Sequence, residues 1–241
     1  MAWGVWVAAV IVLAGCGGGE EPEPAARTPA PTAVVTATPA PPEAPAAEEV
    51  TFRATDGEPV RGEYTPAASA DAPAIVLLHE LRGRVDRWED FIPYLHEAGF
   101  AVLAYESRGS PVESDRLPDA LGALRWVRRD ADQVGLVGAS VGASTTVLAM
   151  ATGARRTVDA AVALSPPESP DIWKLQESER YRPHDLLFVA DEREAPASEE
   201  MLKGARRSEL VRSPSPGHGI VLLGDPGIRE SVLSWLRDRL G

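Results

Sequence analysis

The chain has one cysteine, Cys16, in 241 residues, which excludes an intrachain disulfide. Its four histidines, His79, His96, His184 and His218, show none of the close pairings that hold zinc, so no metal site is expected. Basic residues are outnumbered, 24 against 36 acidic. They are scattered rather than gathered into a stripe, so nucleic acid is not expected as a partner. The apolar run over residues 5–14 is ten residues long, about half of the roughly 20 that a helix needs to cross a bilayer. Residues 17–49 contain no aromatic side chain at all.

That short apolar run fits the core of a signal peptide. It leads into Leu13-Ala14-Gly15-Cys16, which looks like a bacterial lipobox: an aliphatic residue, two small residues, and the cysteine that becomes the lipid-modified first residue. The one departure is a leader, MAWGVW, without Lys or Arg. Residues 1–15 are thus expected to be a lipoprotein signal peptide and Cys16 a lipid anchor, with the exported protein held by its N-terminal lipid to a membrane of the cell envelope. Residues 16–49, rich in Pro, Ala and Glu, cannot bury enough apolar surface to offset their ordering entropy and are expected to form a disordered tether.

From residue 50 the pattern becomes that of a folded domain, 50–241. Residues 51–55 and 60–64 flank Asp56-Gly57 and predict a hairpin. Apolar runs at 74–78, 100–105 and 186–190, and VDAAVAL at 158–164, predict strands buried on both faces. Between and after them, helices are expected over 87–98, 118–130, about 172–179, 197–203 and 226–240, with a further strand near 208–211. Strands alternating with helices imply an α/β fold, a mostly parallel sheet covered on both faces. Ligands of such sheets bind at the carboxyl ends of the strands.

One stretch carries chemistry. Residues 133–150, QVGLVGASVGASTTVLAM, read as a strand, a sharp turn and a helix. Gly138-Ala139-Ser140-Val141-Gly142 is the pattern of a nucleophile elbow, with Ser140 at its apex. The N–H of Val141 opens the helix and is placed to meet a developing oxyanion. A serine hydroxyl needs a base, and the base needs a group to orient it. The best base is His218 in Pro214-Ser215-Pro216-Gly217-His218-Gly219, a glycine-flanked loop before the last helix. The acid is expected in Asp191-Glu192-Arg193-Glu194, after the strand that ends at Ala190.

Taken together, LLHELRG at 77–83, WEDFIPYLHEAGFAVLAYESRG at 88–109, GASVG at 138–142 and PGHGIVLL at 216–223 resemble the α/β-hydrolase superfamily. The similarity is to its small, cap-less, dienelactone-hydrolase-like bacterial members, and it covers about residues 50–241. The resemblance implies an acid about four residues past Ala190, which is Glu194, with Asp191 as the second candidate. It implies an oxyanion hole made by the N–H groups of Val141 and Leu81. It places Glu80, where relatives commonly have Gly, inside the site against the elbow, and makes His79 a support of its loop. Arg108, in Ser107-Arg108-Gly109, is expected in an ion pair rather than on substrate. The implied activity is hydrolysis of small carboxylic esters or thioesters by Ser140, His218 and Glu194, without cofactor or metal. The alternative is an envelope lipoprotein that keeps the scaffold for binding and has lost catalysis.

Overall fold

The computed structural model describes residues 45–152, 157–178 and 180–241. The expected signal peptide, Cys16 and the tether up to residue 44 lie outside the described residues. Eight strands form one open sheet: β1 Glu48–Arg53, β2 Pro59–Thr65, β3 Ala74–Leu78, β4 Ala101–Tyr105, β5 Val134–Ala139, β6 Ala160–Leu164, β7 Leu186–Asp191 and β8 Glu209–Ser213. Their order is β1-β2-β4-β3-β5-β6-β7-β8. The opening hairpin is antiparallel, and β2 runs antiparallel to β4. All other pairs are parallel. The first strand takes in Glu48 and Glu49.

Among the described residues six helices cover the sheet: α1 Ile92–Glu97, α2 Glu113–Val127, α3 Val141–Thr152, α4 Pro170–Glu177, α5 Ala195–Leu202 and α6 Pro226–Leu240. Side chains alternate across each strand, which sorts the core into two layers. In β3, Val76 and Leu78 pack with α2, α3, α4 and α5. Ile75 and Leu77 face the other way, toward α1 and the Ile228, Val232, Trp235, Leu236 and Leu240 stripe of α6. Among the described residues only α4 intervenes between β6 and β7, and no large cap domain stands over the carboxyl ends of the strands. Leu175 of α4 packs against the first core layer.

Two helices differ from expectation for identifiable reasons. The helix expected over 87–98 is split into a 3-10 turn, Val85–Trp88, and α1, which has Pro93 in its first turn. A proline is tolerated there but would remove a hydrogen bond and clash with a carbonyl inside a longer helix. The helix expected to start at Pro118 begins at Glu113 and contains that proline. Its first turns bury Glu113, Arg116 and Asp119, each with a polar partner: Ser169, the His79 carbonyl and Arg108. Hydrophobic spacing is blind to a buried polar face, so it places the start too late.

α3 is buried almost throughout. Its hydroxyls are satisfied within the helix: Thr145 donates to the Val141 carbonyl at 2.8 Å and Thr146 to that of Gly142 at 2.9 Å. The helix enters the sheet so closely that a β-carbon on Gly142 would overlap the carbonyl oxygens of Leu78 and His79. Backbone on both sides leaves no route for relaxation. Gly142→Ala is expected to cost about 3 kcal/mol, the upper end of ordinary overpacking, and to lower the melting temperature by roughly 6–12 °C for a domain of this size. Thermal unfolding checks this.

Candidate active site

Ser140 is the single residue between β5 and α3, and it holds a left-handed backbone with φ 52°. An L-residue adopts this conformation at a cost, and it persists only where its surroundings enforce it. Here they do. The Ser140 N–H donates to the Leu164 carbonyl at the end of β6, 2.9 Å away, and its carbonyl accepts from Ala143 N–H at 2.8 Å. A side chain on Gly138 would collide with the Gly142 carbonyl. The serine is therefore fixed at the carboxyl rim of the sheet, partly exposed. Val141 opens α3, and the first N–H groups of a helix have no acceptor within it.

His218 stands just before a 3-10 turn, Gly219–Gly224, that leads into α6. Its Nδ1 lies 2.8 Å from Glu194 Oε1. A carboxylate oxygen accepts, so Nδ1 carries the proton and Nε2 keeps its lone pair. Glu194 directly precedes α5 and is about a third exposed, His218 about half. The other oxygen, Glu194 Oε2, is buried without a hydrogen bond.

Asp191 behaves differently. It is the last residue of β7 and is 2% exposed. Its Oδ1 accepts from the N–H groups of Arg193 at 3.0 Å and Glu194 at 3.1 Å. Its Oδ2 accepts from Gly217 N–H at 3.2 Å and from the Arg193 guanidinium at 2.6 Å. One oxygen thus holds the turn that carries Glu194, and the other holds the loop that carries His218. The Arg193 guanidinium first, then these N–H donors, hold the Asp191 carboxyl down at about 2 from 3.8. A carboxyl with a lowered folded-state pKa contributes stability in full above its unfolded value and loses it as pH falls through the folded one. The stability difference between wild type and Asp191→Asn is therefore expected to be constant above about pH 5 and to shrink from pH 4 toward 2. Urea unfolding at graded pH measures it.

Glu80 ties the loop after β3 to the same histidine loop. Its Oε1 accepts from the N–H of Ile220 at 3.0 Å. Gly219, with φ 58°, lies so close that a β-carbon there would run into the Glu80 carboxylate. Arg87 stands 3.8 Å from the other oxygen. Leu81, beside Glu80, begins the turn closed by Gly83 N–H on the Glu80 carbonyl at 3.0 Å. Its side chain is exposed.

The structure thus gathers Ser140, Val141, Glu80, Leu81, Asp191, Glu194 and His218 on loops at one rim, with His218 bonded to Glu194. The Ser140 hydroxyl, by contrast, makes no hydrogen bond to His218 or to any other described residue. Arg108 pairs with Asp56 at 2.9 Å and with the buried Asp119, also at 2.9 Å. His184 lies before β7, at the opposite end of the sheet, 2.8 Å from Asp185. No group of three or more His, Cys, Asp or Glu that could hold a metal occurs among the described residues. The part of Asp191 was not evident in the sequence, where it was one of four charges in a row. Its signal was its place as the residue next to Ala190, inside a strand otherwise wholly apolar.

No protein-family model matches the sequence, and no curated protein matches it. Solved structures do match. An esterase of Pyrococcus furiosus is similar with a TM-score of 0.66 at 17% identity, over 81% of this chain and 94% of the other. An α/β hydrolase of a Penicillium species is similar with a TM-score of 0.63 at 16% identity, over 81% and 99%. A thermostable carboxylesterase cloned from a metagenomic library gives 0.63 at 17% identity, over 83% and 91%. Likeness at such identity establishes the fold: this is an α/β-hydrolase fold, with a mostly parallel open sheet.

Proposed function

We propose that the chain is a serine hydrolase that cleaves small carboxylic esters or thioesters, with Ser140 as nucleophile, His218 as base and Glu194 as the acid that orients it. The observation that carries this reading is the 2.8 Å bond from His218 Nδ1 to Glu194 Oε1, on the rim where Ser140 is held in its strained turn. Esterases among the similar structures favour the same reading.

The chemistry follows from the groups present. Ser140 Oγ attacks the substrate carbonyl carbon as its proton passes to His218 Nε2, the nitrogen that Glu194 leaves free. This step needs Oγ and Nε2 within about 3.2 Å, a distance that many hydrolases reach only with substrate bound. The N–H groups of Val141 and Leu81 take up the charge on the carbonyl oxygen, each donor contributing roughly 10²–10³-fold in comparable sites. The imidazolium then gives its proton to the departing alkoxide or thiolate oxygen or sulfur. Water, deprotonated by His218, splits the acyl-serine and restores the hydroxyl. No step calls for a metal or cofactor.

With only α4 between β6 and β7, an open rim suits short acyl groups better than long chains that need a buried tunnel. The dienelactone-hydrolase-like character rests on the motifs at 77–83, 88–109, 138–142 and 216–223 and on the absence of a large cap. Lipid attachment at Cys16 would hold this rim at the cell envelope. A panel of p-nitrophenyl acyl esters of graded length tests the activity: turnover is expected to be highest for the shortest acyl groups. A second reading, a binding protein on a disabled scaffold, is favoured by the unmade Ser140–His218 bond, and absence of turnover across the whole panel would select it.

A further inference from the structure

Arg116 is a buried cation whose nearby carboxylate, Asp119, is already taken by Arg108. It lies on α2 and is 2% exposed. Among the described residues no carboxylate forms an ion pair with it. Buried charges are ordinarily paired, because an uncompensated one is expensive to desolvate. Arg116 is instead met by dipoles: Nη1 donates to the His79 carbonyl at 3.1 Å and Nη2 donates to Ser107 Oγ. Its Nε is buried without a partner. An arrangement this costly calls for an explanation.

The explanation lies one residue further on. His79 is 3% exposed, and its ring meets four polar groups, the Ser107 hydroxyl 3.3 Å from Nε2 among them. The backbone N–H of Ser107 points at its Nε2 from 3.1 Å. A backbone N–H can only donate, so Nε2 is bare. Its Nδ1 lies 2.6 Å from the Glu80 carbonyl oxygen, which can only accept, so Nδ1 carries the proton. The two contacts independently select the same neutral tautomer. Arg116 Nη2, 3.1 Å from that protonated Nδ1, cannot donate to it. It stands there as a positive charge, opposing a second proton on the ring. Glu80 O also accepts from Gly83 N–H at 3.0 Å. This carbonyl belongs to the peptide group whose N–H is that of Leu81. In a planar trans peptide, fixing the C=O fixes the N–H in the opposite direction.

We propose that Arg116 is a positioning residue: its charge keeps the His79 ring neutral, in the Nδ1–H form that the Glu80 carbonyl and the Ser107 N–H select, and His79 in turn pins the Glu80–Leu81 peptide so that its N–H is presented to the substrate oxyanion. The inference rests on the serine-hydrolase reading of the same site and adds the residues behind its second oxyanion donor. Hydrogen bonding at the carbonyl also polarises the peptide and strengthens its N–H as a donor. Burial pushes the His79 ring below the ordinary histidine range, and Arg116 pushes the same way. The Glu80 carbonyl, Glu106 and the Glu80 carboxylate oppose them. Glu106 is itself shared with Arg84 at 3.4 Å. Arg116 is thus the cation that, among the described residues, acts on the ring against two nearby carboxylates.

The test combines spectroscopy of the four histidines in ¹⁵N-labelled full-length protein with ester kinetics. At pH 8, wild-type His79 is expected to carry its proton on Nδ1. In Arg116→Met its titration midpoint should move upward. For a short-chain p-nitrophenyl ester, kcat should fall about tenfold or more, a part of the roughly 10²–10³-fold that one oxyanion donor supplies, while KM changes little. Arg116→Lys, which keeps the charge, should return the midpoint toward the wild-type value and recover part of kcat. An Nε2–H tautomer in the wild type overturns the proposal, and this result does not depend on any variant folding. So does an Arg116→Met protein in which the His79 midpoint and kcat are both unmoved. A wild type with Nδ1–H His79 but no ester turnover would sink the hydrolase reading while leaving the Arg116–His79 lock in place.

Discussion

His218→Ala is expected to lower kcat for ester hydrolysis by about 10⁴–10⁶-fold, the range in which removal of a triad base falls when nucleophile and base act as a unit. The size follows from the chemistry. A serine hydroxyl at neutral pH is almost entirely protonated, and no other imidazole among the described residues serves this rim. His79 is committed to Ser107 and Glu80 through both nitrogens. His184 lies at the other end of the sheet, beside Asp185. His96 is on α1. The remaining rate would come from the oxyanion hole and substrate binding alone. The loss should appear in kcat, with KM nearly unchanged, because the imidazole acts on the proton in flight rather than on the bound ester. A His218→Ala protein within tenfold of the wild type would mean that another group is the base.

Glu194→Gln is expected to cost about 10²–10³-fold in kcat. Loss of the orienting carboxylate in a fully buried triad costs about 10⁴-fold. Here side-chain exposure is 49% for His218 and 31% for Glu194, so solvent screens part of the charge and the effect should be smaller. Asp191→Asn gives the contrast. An asparagine oxygen can still take the Arg193 and Glu194 N–H groups. Its amide nitrogen would then face two donors, Gly217 N–H and the Arg193 guanidinium. The loop carrying His218 is released while Glu194 keeps its charge. Asp191→Asn should therefore lose more stability than Glu194→Gln and less kcat. Kinetics and urea unfolding on both variants separate the two carboxylates. The reverse pattern, a loss of a few-fold in Glu194→Gln and more than a hundredfold in Asp191→Asn, would exchange their roles.

The parts of the fold that sequence made legible are those governed by one dominant effect. Apolar runs marked β3, β4, β6 and β7 because strands buried on both faces need continuous hydrophobic residues. The Ile228, Val232, Trp235, Leu236 and Leu240 stripe marked α6 over its whole length. The elbow was legible because Gly138 and Gly142 stand where backbone fills the space of a side chain. The start of α2 was not, because Glu113, Arg116 and Asp119 are polar residues turned inward, and their partners come from distant loops. The break between residues 88 and 92 was hidden in a segment that keeps helical spacing across a proline. In the site, sequence order and loop position narrowed the acid to two residues. The structure turns those two in different directions, Glu194 along Nδ1 of His218 and Asp191 into the backbone of two loops. The lock of Arg116 on His79 spans 37 residues of sequence and leaves no periodic trace.

The most direct measurement is the mass of the intact protein after incubation with a fluorophosphonate, followed by peptide mapping. Such a reagent phosphonylates a serine only where a base and an oxyanion hole act on it together. One adduct per chain is expected, carried by the peptide that contains Ser140, formed at a rate that falls sharply in His218→Ala and absent from Ser140→Ala. A wild-type chain that takes up no phosphonate, or one whose adduct persists in Ser140→Ala, would contradict the serine-hydrolase reading.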